Sequence, residues 1–160
     1  ISLLESGRLR IHPEELHVAG VVHGVVEELT TLLSGRSLVL DLAADLPPVQ
    51  ADPERLAQVL GNLLSNAVKY GDCGTPIRVA AARLGAAVEI SIANQGTSLS
   101  DEEVGQMFSR FYRAPSQERS KVRGLGIGLY IAKGLVESHG GKISVASDDG
   151  TTTFRVLLPC

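Results

Sequence analysis

The sequence contains no tryptophan and only two cysteines. Aromatic residues make up just 4% of the chain. Cys73 and Cys160 are far apart and lack the spacing of metal ligands, so we interpret them as reduced thiols of a cytoplasmic protein. No run of about 18 apolar residues occurs, so no membrane-spanning segment is predicted. These shortages argue against an aromatic stacking surface, a cysteine-based metal centre and a transmembrane helix.

The charge and length of the chain narrow the class of protein further. A net charge of −3 at pH 7 gives no general attraction to nucleic acid, and we expect no nucleic-acid partner. With 160 residues, of which 44% are hydrophobic, the chain suffices for about one domain with a core. Its first residues lack the pattern of a signal peptide and are typical of a piece of a longer protein. We expect residues 1–13 to end a linker and residues 14–160 to form one domain.

Apolar periodicity predicts helices and strands in a mixed order. Helices are predicted over residues 14–33, 52–70, 100–107 and 127–138, and strands over residues 37–42, 77–83, 87–93, 142–146 and 152–158. Residues 112–123 are polar and show no period, which predicts a mobile loop. The order of elements predicts an α+β fold in which helices stack on one face of a mixed sheet.

A glycine-rich stretch, RGLGIGLYIAKG at residues 123–134, opens the predicted fourth helix. Its spacing differs from the dinucleotide-binding pattern, which also requires a preceding strand, and no P-loop lysine follows the glycines. Glycines at a helix N-terminus still allow backbone N–H groups to approach phosphate oxygens. A flexible hinge ahead of a helix explains the glycines equally well, so the stretch alone leaves both interpretations open.

The helix at residues 52–70 favours phosphate binding. Asn62, Asn66, Lys69 and Tyr70 are spaced so that they share one face of an otherwise apolar helix. Asparagine is a mediocre helix former, so two of them within a helix call for a reason. Two amide oxygens one turn apart suit a hydrated Mg²⁺, which relies largely on substrate phosphates for its other ligands. Lys69 is placed to neutralise phosphate charge, and Tyr70 offers a ring near a base.

Four segments resemble the motifs of one known family and occur in the family's order. GNLLSNAVKYG (residues 61–71) resembles an N box, ANQGTSLSDEE (93–103) a first glycine box, FSRFYRA (108–114) an F box and GLGIGL (124–129) a second glycine box. The closing TTTFRVLLP (151–159) is similar to the family's last strand. Together they resemble the ATP-binding catalytic domain of bacterial sensor histidine kinases, in the GHKL superfamily shared with gyrase, Hsp90 and MutL.

This resemblance implies a fold and an activity. The fold would be a two-layer α/β sandwich, the Bergerat ATP-binding fold, with a mixed, mostly antiparallel sheet, about three helices on one face and a mobile ATP lid at residues 112–123. The domain would bind Mg-ATP and transfer the γ-phosphate to a histidine on a separate dimerisation domain, for relay to a response regulator. We expect the isolated domain to be a monomer without membrane contact and the full-length protein to be a dimer.

The resemblance also assigns roles to individual residues. Asn66 would be the principal Mg²⁺ ligand with Asn62 beside it, and Lys69 and Arg113 would reach phosphates, with Arg110 as a further candidate. Phe108 and Phe111 would anchor the ATP lid to the core. The remaining nucleotide contacts implied by the family motifs are Tyr70, Asn94, Gly96, Leu99, Gly124, Leu125, Gly126, Ile127, Gly128, Leu129, Thr152 and Thr153.

The sequence departs from the family pattern in the first glycine box. Asn94 stands where the family has an aspartate that accepts a hydrogen bond from the adenine amino group, and Ser98 replaces a glycine. A neutral amide lacks charge assistance worth roughly 1 kcal/mol or more, so we predict weak ATP binding or altered base selectivity. Asn62 also replaces the glutamate base of ATP-hydrolysing relatives, so hydrolysis should be poor. This makes a free-standing ATPase of the gyrase type an unfavoured alternative.

None of the four histidines resembles the family's phosphoacceptor, so the acceptor domain is expected upstream and the chain alone should not autophosphorylate. His139 ends a helix, and we expect it to be structural, with its cationic form favoured by the helix dipole. Two alternatives remain open: a degenerate, pseudokinase-like module that signals through partner binding, and a related serine kinase acting on an anti-sigma antagonist.

Overall fold

The computed structural model describes residues 9–117 and 124–160. Its strands in chain order are β1 (Glu14–Leu16), β2 (Leu38–Leu42), β3 (Val49–Ala51), β4 (Ile77–Leu84), β5 (Ala87–Gln95), β6 (Lys142–Asp148) and β7 (Thr151–Pro159). Its helices are α1 (Val18–Glu28), α2 (Thr30–Leu33), α3 (Pro53–Tyr70), α4 (Asp101–Gln106) and α5 (Gly128–Ser138), and a 3-10 turn covers Pro115–Gln117.

Five strands form a mixed sheet in the order β2-β4-β5-β7-β6. β2 pairs parallel with β4, and the pairs β4–β5, β5–β7 and β6–β7 are antiparallel. Alternate residues of β5 and β7 are buried, and the register sets Ile90 opposite Val156 and Ile92 opposite Phe154. This alternation gives the sheet one apolar face, on which the helices pack.

Helix α3 lies at the centre of the helical layer, between α1 and α5, and also contacts β5. Its apolar face buries six side chains: Leu56, Val59, Leu60, Leu63, Leu64 and Ala67. The helix begins cleanly because the Asp52 carboxylate accepts hydrogen bonds from the N–H groups of Glu54 and Arg55, with proline at the first helical position. The predicted α+β architecture, with three main helices on one face of a mostly antiparallel sheet, is confirmed.

The prediction of one continuous helix over residues 14–33 is wrong at its start and at Leu29, although its end at Leu33 is confirmed. Residues 14–16 form β1, which pairs antiparallel with β3 so that Leu16 lies opposite Val49, and both side chains are buried. The helix that follows is interrupted at Leu29, where α1 gives way to α2. Strand β3 itself escaped prediction because three residues are too few to show a period. Tertiary pairing overrides local propensity here.

The predicted mobile loop at residues 112–123 is described in part, because residues 118–123 lie outside the described residues. Its first half contains the 3-10 turn. In the predicted linker, the His12 N–H donates to Asp52 Oδ2 at 2.8 Å, so this part of it contacts the domain. Within residues 9–117 and 124–160, no helix is long and apolar enough to cross a membrane.

Candidate nucleotide-binding site

A cavity of about 300 Å³ lies between α3, the start of α5 and the segment after the F box. Its size falls at the lower end of the range of small-molecule sites. The residues that line it are Asn62, Ser65, Asn66, Lys69, Tyr70, Met107, Tyr112, Arg113, Ala114, Gln117, Gly124, Leu125, Gly126, Ile127, Gly128 and Leu129. The structure therefore brings together the predicted residues of the N box, Arg113 of the F box and the whole of the second glycine box.

Asn62 fastens the start of α5 to α3. Its Nδ2 donates a hydrogen bond to the carbonyl oxygen of Gly128 at 3.0 Å. A carbonyl oxygen only accepts, so this contact fixes the orientation of the Asn62 amide and leaves Oδ1 for another partner. Asn66 lines the same cavity one helical turn further on. Two amide groups thus lie on the cavity side of α3, as the spacing predicts.

The donor set in the cavity suits a hydrated cation that is held largely by phosphates. Among residues 9–117 and 124–160, no group of three or more histidine, cysteine, aspartate or glutamate side chains could hold a metal ion. The cavity instead offers the neutral oxygens of Asn62 and Asn66 together with the cationic Lys69. Mg²⁺ commonly binds through one or two protein oxygens, water and substrate phosphates, so these residues fit it.

Gly126 is where the glycine box meets the F box. The Phe111 N–H donates to the Gly126 carbonyl at 2.8 Å. Gly126 has a φ of +68°, and a Cβ atom there would lie 2.8 Å from the Phe111 carbonyl carbon and 2.9 Å from the Tyr112 oxygen. Both the conformation and the close approach demand glycine. The sequence predicted this glycine for phosphate binding, and the structure adds a packing requirement.

The two phenylalanines predicted to anchor the ATP lid are placed differently. The Phe108 ring packs edge-on against the core residue Phe154, with 6.0 Å between ring centroids. Phe111 is 58% exposed, has a φ of 63°, and its ring lies 4.7 Å from the Arg110 guanidinium carbon. The expectation that the Phe111 ring anchors to the core is therefore wrong. Phe111 is held by its backbone bond to the glycine box, while its ring faces outward.

Apart from Tyr70, the residues predicted for the base end lie outside the described lining of this cavity. Asn94 and Thr152 face each other on β5 and β7 and are each 5% exposed. Among the described residues, the cavity wall does not include Asn94, Gly96, Leu99, Thr152 or Thr153. A Cβ at Gly71 would lie 3.3 Å from Asn94 Cβ, so the end of α3 lies close over this residue.

Strand alternation separates the two threonines predicted near the base. Thr152 is buried on the helix-covered face with Phe154, and Thr153 projects from the opposite face. Thr152 Oγ1 lies 3.2 Å from Ser147 Oγ, which accepts a hydrogen bond from the Leu99 N–H at 2.8 Å. Only Thr152 of the pair therefore shares a face with Asn94.

Ser98 and Gly96 tie the first glycine box to the β6–β7 turn. The Gly150 N–H donates to Ser98 Oγ at 2.9 Å, and the Gly96 N–H donates to the Gly150 carbonyl at 2.7 Å. A Cβ at Gly96 would lie 2.7 Å from the Tyr70 carbonyl oxygen, so this glycine is required by packing. The serine that departs from the family pattern thus has a structural bond of its own.

Within the described part of the chain, five residues that line the cavity were not predicted from the sequence: Ser65, Met107, Tyr112, Ala114 and Gln117. Ser65 follows Asn62 by three residues, so helical spacing already placed it on the same face. Tyr112 and Ala114 belong to the quoted F box. Gln117 carried no sequence signal, because it lies in a loop without period.

Partial burial, followed by the negative charges of Glu103 and Glu102, raises the pKa of Tyr112 above its ordinary value.

His139 connects the end of α5 to the start of α3. Its Nε2 accepts a hydrogen bond from the Asp52 N–H at 3.0 Å, and its Nδ1 lies 2.7 Å from the Leu135 carbonyl oxygen. An accepting Nε2 and a donating Nδ1 define the neutral tautomer. The expected structural role is supported. The expected cationic form does not fit these contacts, because a proton on Nε2 would point at the Asp52 N–H group.

Asp52 joins three segments at the same node. Burial raises the pKa of its carboxyl, but hydrogen bonds from the N–H groups of His12, Arg55 and Glu54, with the charge of Arg55, outweigh burial and hold the pKa below its ordinary value. The carboxylate therefore remains ionised and caps α3 at neutral pH. The two helices that form the cavity are thus fixed at the end remote from it.

Comparison with known proteins identifies the family. Residues 51–160 match the family model of histidine kinase-, DNA gyrase B- and HSP90-like ATPases. The chain is 38% identical over 162 residues to a bacteriophytochrome of Pseudomonas aeruginosa, covering 99% of this chain and 22% of that protein. It is 34% identical over 159 residues to the sensor histidine kinase CusS of Escherichia coli, covering 98% of this chain and 33% of CusS.

The structure of full-length ShkA in complex with AMPPNP shares the fold, with a TM-score of 0.84 at 23% identity over 99% of this chain and 33% of that one. The chain therefore belongs to the family of histidine kinase-, DNA gyrase B- and HSP90-like ATPases. Within that family it resembles the ATP-binding domains of sensor histidine kinases over nearly all of its length. It spans between about a fifth and a third of these relatives.

Proposed function

We propose that this chain is the catalytic domain of a sensor histidine kinase that binds Mg-ATP in the cavity between α3 and α5. It transfers the γ-phosphate to a histidine on a separate dimerisation domain, which passes it to a response regulator. One observation carries the proposal: residues of the N box, F box and second glycine box, far apart in sequence, line a single cavity. Phosphoryl transfer depends mainly on positioning and charge neutralisation, which these residues supply.

The phosphate end of the site is assigned to α3 and α5. Asn66 would bind Mg²⁺, and Asn62 would offer its Oδ1 on the same cavity wall, since its Nδ2 is engaged with Gly128. Bound Mg²⁺ would neutralise phosphate charge. Lys69 and Arg113 add positive charge on the cavity wall. The backbone of Gly124, Gly126 and Gly128, with the N-terminus of the 11-residue α5, favours the anionic triphosphate.

The base end is assigned to Tyr70 on the cavity wall and to the buried Asn94 and Thr152. An amide presents one acceptor and two donors, whereas a carboxylate only accepts. Asn94 therefore discriminates less between an amino and an oxo group on a purine, and we propose weak ATP binding with reduced selectivity against GTP. Thr153 is left out of this assignment because it lies on the other face of the sheet.

The histidine acceptor belongs to another domain. The His139 ring contacts the Asp52 N–H and the Leu135 carbonyl oxygen, so its role is structural. Since Asn62 cannot take a proton from water, the bound nucleotide is preserved for an external acceptor. In this proposal residues 1–13 end the linker from the dimerisation domain, residues 14–160 form the catalytic domain, and the site works in the cytoplasm. The domain is a monomer when isolated, and the full-length protein is a dimer.

A degenerate module that signals without catalysis is the second candidate. It is favoured by the first glycine box, where Asn94 is buried outside the cavity lining and Ser98 accepts a hydrogen bond from Gly150. Such a module would keep the fold and the partner surfaces while binding ATP weakly or not at all.

The deciding experiment supplies the native dimerisation domain as a separate chain and follows labelled phosphate from ATP. We expect the dimerisation domain to become labelled on histidine only when this chain and Mg²⁺ are both present. A folded wild-type chain that leaves the acceptor unlabelled in the presence of Mg-ATP would contradict the proposed transfer and support the second candidate. When cavity residues of α3 such as Asn66 are substituted, Gln58→Ala is the matched control, because Gln58 is an exposed polar residue on the same helix.

A further inference from the structure

Glu103 is a buried carboxylate that lies outside the cavity. It is 9% exposed and sits in the first turn of α4. Its Oε2 accepts a hydrogen bond from the Ser100 N–H at 2.8 Å, and Ser100 Oγ accepts one from the Glu103 N–H at 3.1 Å. This reciprocal pair of hydrogen bonds is a capping box, which accounts for the hydrogen bond at one of the two carboxylate oxygens.

The second oxygen makes a contact that helix capping does not require. Glu103 Oε1 accepts a hydrogen bond from the Ser116 N–H at 3.0 Å. Ser116 lies in the 3-10 turn of residues 115–117, and its neighbours Ala114 and Gln117 line the cavity. The carboxylate therefore bridges α4 and the wall segment, by which we mean residues 112–117.

The other side of α4 is tied to the sheet. Leu99, directly before the capping box, donates its N–H to Ser147 Oγ on β6, which in turn contacts Thr152 on β7. The position of Ser100, and with it that of Glu103, is therefore set by the sheet. Glu103 transmits that position to the wall segment through one side chain.

Only the ionised form can serve both contacts fully. Hydrogen bonds from the N–H groups of Ser100 and Ser116 outweigh burial and hold the pKa of Glu103 below its ordinary value. A glutamine would accept at one oxygen but turn an NH₂ group toward the other N–H donor. The bond to Ser116 or the bond to Ser100 would be lost.

We propose that Glu103 is a positioning residue for nucleotide binding, whose carboxylate holds the wall segment against the cavity. Nucleotide affinity then depends on a side chain that is absent from the described cavity wall. This inference rests on the proposed function, because it takes the cavity as the ATP site.

The test compares three variants for Mg-ATP affinity by isothermal titration, with thermal unfolding measured in parallel. E103Q removes the carboxylate. E102Q removes the same charge from the exposed neighbour on the same helix. Ser100→Ala removes the side-chain cap of α4 and leaves the Glu103–Ser116 contact in place. We expect E103Q to weaken Mg-ATP binding roughly tenfold, and the two controls to stay within about twofold of wild type.

Amide exchange of the ligand-free chain provides a second readout. E103Q should speed exchange at Ser116 and its neighbours in the wall segment, whereas Ser100→Ala should affect only the start of α4. If E103Q fails to fold, E103D, which keeps the charge but shortens the reach, should show the same changes to a smaller extent.

The outcomes separate this inference from the proposed function. A folded wild-type chain that binds no nucleotide overturns the proposed function, and the role of Glu103 in binding falls with it. Normal wild-type binding with E103Q equal to E102Q overturns the inference alone. Equal losses in E103Q and Ser100→Ala also overturn it, because helix capping would then explain the whole effect.

Discussion

The two ends of the proposed nucleotide site differ in how their residues are held. At the phosphate end, Asn62 and Asn66 line an open cavity and face glycines at the start of a helix. At the base end, Asn94 and Thr152 lie on paired strands, each 5% exposed, beneath the last turn of α3. The first end is assembled from separate segments, and the second is built into the sheet.

This contrast explains where departures from the family pattern are tolerated. The phosphate end depends on close contacts between segments, such as Gly126 against Phe111 and Tyr112, so its residues have few substitutes. Ser98 at the base end forms a bond to Gly150 instead of leaving a gap. Since strand pairing keeps Asn94 and Thr152 in place, substitutions at these two positions alter recognition more than architecture.

The largest effect is expected at the phosphate end from Gly126→Ala. A positive φ and a Cβ within 2.9 Å of two backbone atoms force the F box away from the glycine box. We expect a loss of roughly 2 kcal/mol in the free energy of unfolding and a severe loss of Mg-ATP affinity.

Gly124→Ala is the matched control for that change. A Cβ at Gly124 would meet no heavy atom of residues 9–117 and 124–160 within 4 Å, so stability should change by less than about 0.5 kcal/mol. Urea unfolding and titration calorimetry measure both variants. Equal losses of unfolding free energy in the two variants would show that the close approach at Gly126 has no energetic importance.

At the base end, Asn94→Asp should change selectivity more than architecture. A carboxylate accepts a charge-assisted hydrogen bond from an amino group and repels an oxo group, so the ratio of ATP to GTP affinity should rise roughly tenfold. The free chain should lose some stability, because a buried charge then lacks a partner until nucleotide binds. Titrations with Mg-ATP and Mg-GTP measure the ratio. An unchanged ratio would remove Asn94 from the base site.

The smallest effect is expected on stability at acid pH, from Asp52 at the N-terminus of α3. The pKa of Asp52 is lowered in the folded protein, so its contribution is present above the unfolded value near 4 and is lost as pH falls through the folded pKa. Asp52→Asn should therefore make the loss of unfolding free energy below pH 4 shallower. Asp45→Asn, at an exposed aspartate, should leave that slope unchanged. Identical slopes for the two variants would contradict the account of Asp52.

Sequence patterns predicted the helices and strands in which buried residues recur at a regular spacing. The long amphipathic α3, its Asp-Pro start and the alternating strands β5 and β7 were readable because burial follows a period in each. β1 and β3 were not, because three-residue strands are defined by their pairing with each other. The residues predicted for the phosphate end lie together in one cavity, which was predictable because they repeat along one helix face or follow one another in sequence.

Contacts between distant segments account for what the sequence could not show. The bond from Ser116 to Glu103, the link from Leu99 to Ser147 and the place of Gln117 in the cavity wall each depend on how the loops pack. The outward ring of Phe111 follows from a backbone conformation that no side-chain pattern encodes.

The central claim is that the amide face of α3 holds Mg-ATP, and titration of the wild-type chain and Asn66→Ala with ATP, with and without Mg²⁺, tests it most directly. We expect magnesium-dependent binding to the wild-type chain, a loss of at least roughly tenfold in Asn66→Ala, and wild-type affinity in the control Gln58→Ala. Equal magnesium-dependent affinities for wild type and Asn66→Ala, with both folded, would contradict the claim.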